Sequence, residues 1–218
     1  MALIRSVFQD ELDGVSQSLV DLSKMVAESM KKATEALLAA ELRIAEEVIS
    51  ADEKIDNFQH ELDSRIIDII ARQQPVASDL RALITALRMS ADLERMGDLS
   101  HHIAKIARLR HPEVAVPQDL HDIVRHMGDA ATKIAEKVGT VIETRNTTMA
   151  LELEKDDDVI DTLHRGLIGK LTAGNWDKGV ASAVDMTLLG RYYERFADHA
   201  VSVSRRVYFL VTGEFAQP

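Results

Sequence analysis

Eight carboxylates in this sequence share one spacing. Asp52 and Asp56, Glu94 and Asp98, Asp157 and Asp161, and Glu194 and Asp198 are acid pairs with three residues between them. On an α-helix, residues four apart lie on one face with Cβ atoms about 5–6 Å apart, so both side chains point the same way. Several oxygens aimed at one place suit a cation. A lone pair has a simpler reading, because acids make up 36 of the 218 residues and such pairs arise by chance on solvated helix faces. Neighbouring Arg95 or Arg195 would balance them there.

The pairs recur in register, which chance does not explain. Leu93-Glu94-Arg95-Met96-Gly97-Asp98 reappears 100 positions later as Tyr193-Glu194-Arg195-Phe196-Ala197-Asp198: apolar, Glu, Arg, apolar, small, Asp. Asp52-Glu53-Lys54-Ile55-Asp56 reappears 105 positions later as Asp157-Asp158-Val159-Ile160-Asp161. If the two motifs of each half sit at one height on antiparallel helices, Asp52 and Asp56 meet Glu94 and Asp98, and Asp157 and Asp161 meet Glu194 and Asp198. Four such groups raise one another's pKa unless cations lie between them. The pattern therefore predicts two metal sites. All-oxygen ligand sets select hard divalent or trivalent ions such as iron, Mn²⁺, Mg²⁺ or Ca²⁺, with zinc as a further option. Gly97 and Ala197 are small enough to let the partner helix approach.

The elements that must position these groups are helices. Apolar residues follow a period near 3.6 almost throughout. The pattern predicts helices over 8–38, from about 40 to just before Pro75, and from Ser78 or Asp79, as N-cap, to about Leu109. The segment His111–Pro117, with two of the four prolines, reads as a linker. Three more helices are predicted over 118–144, 149–171 and 177–211, with Asn146-Thr-Thr148 as a turn and cap and Gly213 as a stop. Three helices, a linker and three helices, with matching motifs, predict an all-α fold of two tandem three-helix bundles made by internal duplication. The expected units are residues 1–111 and 118–218, joined by 112–117.

Composition excludes much else. Ten Gly, four Pro, one Trp, three Tyr and five Phe are few for a β-sandwich or barrel. Without cysteine there is no disulfide, thiolate metal site or cysteine nucleophile. A net charge of -10 has the wrong sign for a general nucleic-acid binder. No apolar run reaches the roughly 18–20 residues that cross a bilayer. The segment Met1–Asp10 lacks a basic stretch followed by an apolar run, so a cytoplasmic protein is expected. No phosphate-binding Gly-rich loop, Gly-x-Ser-x-Gly or His-Glu-x-x-His run is present. The doublet His101-His102 reads first as a solvated helix face, and His199 beside Asp198 is the better metal neighbour.

Taken together, these motifs resemble the PhoU family, regulators of bacterial phosphate uptake and phosphate signalling. The likeness covers essentially the whole chain. It includes Arg72-Gln-Gln-Pro75, Asp79-Leu-Arg81 and Asp92-Leu-Glu-Arg-Met-Gly-Asp98 in the first half. In the second it includes Gly190-Arg-Tyr-Tyr-Glu-Arg-Phe-Ala-Asp-His-Ala200 and Tyr208-Phe-Leu-Val-Thr-Gly213. The resemblance implies paired three-helix bundles with multinuclear metal clusters, often iron, at the acidic motifs. It implies a non-enzymatic negative regulator that meets the phosphate transporter's ATPase and a phosphate-sensing histidine kinase at the membrane. A homodimer is expected for such a helical adaptor. Where the family commonly shows Asp-His-Ala-x-Asn, the first half reads Asp98-Leu-Ser-His-His102 and the second Asp198-His-Ala-Val-Ser202, so the two sites are expected to differ.

Two other classes compete. A di-iron carboxylate or ferritin-like protein needs Glu-x-x-His on two helices. Asp98-Leu-Ser-His101 and Asp161-Thr-Leu-His164 have that spacing, with Asp for Glu and at non-equivalent places in the repeat. A metal-free helical scaffold would share the helix lengths but has no need for acid pairs at matching positions.

Overall fold

The computed structural model describes residues 2–216, with side chains from residue 7 onward. It contains helices α1 (Ala2–Ala39), α2 (Leu42–Gln73), α3 (Ala77–Arg110), α4 (His121–Thr144), α5 (Thr147–Thr172) and α6 (Gly179–Thr212), with one 3-10 turn, Gln118–Leu120, leading into α4. The described residues contain no strand. No described helix is long and apolar enough to cross a membrane.

Several ends follow local chemistry that the residues announce. The Asn146 side chain accepts from Met149 N at 3.0 Å and caps α5. Gly213, at φ 77°, closes α6 in the left-handed conformation with its N–H on Phe209 O. The starts of α3 and α6 are among those that differ from the sequence reading. α3 begins at Ala77 behind Val76, which supplies no side-chain cap. Asp79 sits in the first turn instead, where a carboxylate faces the positive end of the helix dipole. α6 begins at Gly179 rather than Asp177. The expected linker is also not bare, since Ala115 and Val116 are buried.

Within the first half α2 packs on α1 and α3, and within the second α5 packs on α4 and α6. The halves meet through α1 against α4 and α3 against α6, and one hydrophobic core runs through all six helices. The equivalent helices pair antiparallel. On α1 and α4, an ideal Cβ at Gly128 would meet Thr34, and one at Gly139 would meet Ser23. On α3 and α6, Asp92 pairs with Arg206, while Arg110 pairs with Asp185 at the opposite end. Antiparallel packing of equivalent elements is what a local two-fold relation between repeats produces. It also sets Asp98 and Asp198 near the same height along the α3–α6 seam.

Close approach of α1 to α4 depends on the missing side chain at Gly128, where a Cβ would stand 2.3 Å from Thr34 Cγ2. Thr34 cannot turn aside freely, because its hydroxyl shares a buried 2.9 Å hydrogen bond with Tyr193 of α6. Gly128→Ala is therefore expected to destabilise the fold by about 1–3 kcal/mol, the usual cost of overpacking a tight core. Urea denaturation checks this, and an unchanged midpoint contradicts it.

Candidate metal centre

The first acidic group forms where α2 and α3 run side by side. Ile55, Leu62, Ile66 and Ile69 are buried on one face of α2, and Leu93, Met96, Leu99 and Ile103 are buried on α3. Two contacts fix the antiparallel register: Ser90 Oγ donates to Asp63 Oδ1 at 2.6 Å, and His101 Nδ1 bonds Asp52 Oδ2. At the level of the motif, Ile55 lies against Gly97, where an ideal Cβ would stand 3.0 Å from Ile55 Cγ2. Asp52 and Asp56 flank Ile55 along α2, and Asp98 follows Gly97 on α3. The close approach therefore carries their carboxylates together. One oxygen from each of Asp52, Asp56 and Asp98 lies within 4.8 Å of the others.

This trio is short of positive partners. Asp52 is buried, its Oδ2 faces His101, and its buried Oδ1 has no partner; Asp56 Oδ1 is likewise buried and unpartnered. Among the described residues, the guanidinium of Arg95 reaches Asp98 Oδ2 at 2.8 Å and Glu94 Oε2 at 3.7 Å. Burial, then the charges of Asp52 and Asp98, push the Asp56 carboxyl above its ordinary range. Glu94 rises for the same reasons, burial first and Asp98 next, with Arg95 opposing. Orphaned oxygens of clustered carboxylates fit a bound hard cation. Asp52, Asp56 and Asp98 would hold it, and Glu94 stands within the same field.

The second quartet is looser. Burial, followed by the charges of Asp161, Asp198, Asp158 and Glu194, lifts Asp157 to about 7. Asp157 Oδ1 is buried without a partner. So the other three expected residues all bear on Asp157, but among the described residues the four do not bring three ligand atoms within 4.8 Å. Asp198 is exposed, and Arg191 ties down the Glu194 carboxylate. A physical reason lies in the repeat. Ala197 stands where the first half has Gly97, and Ile160 where it has Ile55. A Cβ at Gly97 would already crowd Ile55 Cγ2 at 3.0 Å, and Ala197 carries that Cβ at the equivalent place.

The histidines depart from their sequence reading. His101 is not on a solvated face: its ring is mostly buried, Nδ1 bonds Asp52, and Nε2 is buried without a partner. It stands behind Asp52 as an orienting group, the way imidazole–carboxylate pairs fix ligands at metal sites. His102 stacks on Tyr192 of α6, with ring centroids 5.3 Å apart. His199 pairs across the seam with Asp92 at 3.1 Å rather than with a motif carboxylate. Asp92 also accepts from Arg206 Nε at 2.8 Å. Burial would raise Asp92, but the bonds from His199 and Arg206 outweigh it and hold the carboxyl below its ordinary range. The His101–Asp52 pairing had no local signal, since the two residues are 49 apart in sequence.

Two tests follow from this geometry. A carboxyl raised in the folded state keeps a proton that the unfolded chain has already lost, so stability falls as pH rises between the two pKa values. For Asp157 that window runs from 3.8 to about 7. Chelator-treated protein should lose stability across it and level off above, and Asp157→Asn should flatten the slope. Equal slopes in thermal melts of the two proteins contradict the assignment. Gly97→Ala should push α2 from α3 and weaken cation binding at the first site by about tenfold, the scale of a disturbed supporting shell. Calorimetric titration with Mn²⁺ reads this, and an unchanged affinity removes the close approach from the account.

Comparison with known proteins agrees with this architecture. The family profile described as "PhoU domain" matches residues 19–107 and again residues 124–207. The chain is 42% identical over 212 residues to the phosphate-specific transport system accessory protein PhoU homolog 2 of Mycobacterium bovis, covering 97% of this chain and all of that one. It is 40% identical to PhoU homolog 1 of Mycobacterium leprae, covering 98% of this chain and 96% of the relative. The crystal structure of PhoU from Pseudomonas aeruginosa superposes with a TM-score of 0.89 at 27% identity, over 95% of this chain and all of that one. Two profile matches, relatives aligned from end to end and a shared six-helix fold have one explanation: this chain belongs to the PhoU family.

Proposed function

We propose that this protein is an accessory regulator of phosphate-specific transport. In this reading it restrains the transporter, through its ATPase subunit, and the phosphate-sensing histidine kinase. It does so by docking rather than by catalysis, in the cytoplasm at the membrane surface and as a homodimer. The observation that carries the reading is end-to-end similarity, at 42% identity, to a relative named as an accessory protein of that transport system. Effects on gene expression are then indirect, consistent with a net charge of -10, which disfavours contact with DNA.

The acidic sites enter as docking determinants. Asp52, Asp56 and Asp98 hold a hard cation such as iron, Mn²⁺ or Mg²⁺, His101 orients Asp52, and Glu94 completes the rim. Asp157, Asp161, Glu194 and Asp198 form the second, looser site. A cation held this way offers open coordination positions to phosphate or to a partner's acidic side chain. The protein's own contribution is to keep α2 and α3 close enough that the oxygens converge.

Deleting the gene tests the regulatory reading. Expected are phosphate-starvation reporter expression in phosphate-rich medium and unrestrained phosphate uptake, both corrected by the wild-type gene. A pull-down from wild-type cells should recover the transporter ATPase and the kinase, and Asp52→Asn with Asp98→Asn should weaken recovery. Normal reporter silence and normal uptake in the deletion strain contradict the proposal.

A further inference from the structure

The acidic sites leave a second feature unexplained, and it carries the opposite charge. Between α3 and the last turns of α6 lies a groove of about 330 Å³ whose charged lining is four arginines, Arg81, Arg88, Arg205 and Arg206. Among the described residues no acidic side chain lines it, in a chain with 36 acids against 26 bases. Arg81 and Arg88 make no ion pair among the described residues. Arg205 and Arg206 do, with Glu154 and Asp92, but each bonds its carboxylate through Nε at 2.8 Å. That leaves the terminal nitrogens of two oriented guanidinium groups for an anion. Guanidinium forks match phosphate oxygens in geometry as well as charge.

The same groove holds an aromatic platform. The left-handed turn at Gly213 folds the chain back, and Glu214 N donates to Thr212 Oγ at 3.1 Å. Phe215 is thereby laid on Phe209, with centroids 4.6 Å apart and planes 14° apart. Arg81 lies 5.3 Å from the Phe209 centroid. Phe215 remains 80% exposed, an unusual position for a large apolar ring that has already found a stacking partner. Arginines beside an open aromatic face recognise a phosphorylated ligand that also carries a planar ring. The volume matches small-ligand pockets, which begin at about 300 Å³.

We propose that this groove binds a nucleoside diphosphate, its phosphates held by Arg81 and Arg88 with Arg205 and Arg206 behind them, and its base laid on Phe215. The site is independent of the carboxylate clusters, so the test uses chelator-treated protein. Calorimetric titration with ADP, adenosine and inorganic phosphate should show ADP binding, with adenosine and phosphate each weaker by about tenfold or more. Arg88→Ala should weaken ADP by about tenfold, the value of one charge-assisted contact. Phe215→Ala should weaken ADP while leaving phosphate unchanged. Arg88 and Phe215 are exposed, and circular dichroism checks that the variants fold. No heat with ADP at about 1 mM, or an ADP affinity unchanged in either Arg88→Ala or Phe215→Ala, overturns the proposal.

Discussion

Everything distinctive about this molecule rests on one opposition. Apolar packing draws α2 against α3 through Ile55 and Gly97, and the same movement forces Asp52, Asp56 and Asp98 together. On an exposed helix face a like-charge pair costs about 0.2–0.5 kcal/mol. Carboxylate oxygens within 4.8 Å and partly removed from water repel far more strongly, roughly 3 kcal/mol per ionised pair at an effective dielectric of about 20. Arg95 answers only part of that, since it reaches Asp98 and Glu94 but neither of the α2 carboxylates. The raised Asp56 and Glu94 carboxyls are the response of the protein alone. A cation among the oxygens would let all of them stay ionised.

Duplication places this opposition twice and then sets the copies apart. The seam between halves is held by apolar core and by charges that must pair. Asp185 is nearly buried and bonds Arg110 Nε at 2.6 Å, while Asp92 bonds Arg206 and His199 toward the other end. Stranding either carboxylate by removing its partner is the kind of change that costs about 3–5 kcal/mol, so these pairs fix the register of α3 on α6. With that register set, Asp98 and Asp198 fall at about the same height along the seam. At the equivalent place the tight group has Gly97 and the loose one has Ala197.

Much of this was legible in the residues. A 3.6 period from end to end left little choice but six long helices, and the Asn146 cap and Gly213 stop could be read from residue type alone. The acid pairs and their displacement by 100 and 105 positions singled out eight residues, of which the fold brings Asp52, Asp56 and Asp98 within 4.8 Å of one another. What escaped depended on partners remote in sequence. His101 looked like a surface histidine because Asp52 is on another helix. His199, next to Asp198 in the chain, turns away toward Asp92. The α3 start was misplaced because Ser78 and Asp79 are good capping residues that lie in the first turn of the helix, not at its threshold. The arginine groove also escaped, because its residues come from two helices and a turn and only the fold collects them.

Melting the chelator-treated protein with and without Mn²⁺, beside an Asp56→Asn variant, tests the central opposition most directly. The account predicts that without metal the variant melts higher than wild type, since one repelling charge is gone, and that Mn²⁺ raises wild type much more than the variant. A variant that melts lower without metal, or that gains as much from Mn²⁺ as wild type does, would show that the carboxylates are not the crowded, cation-seeking group described above.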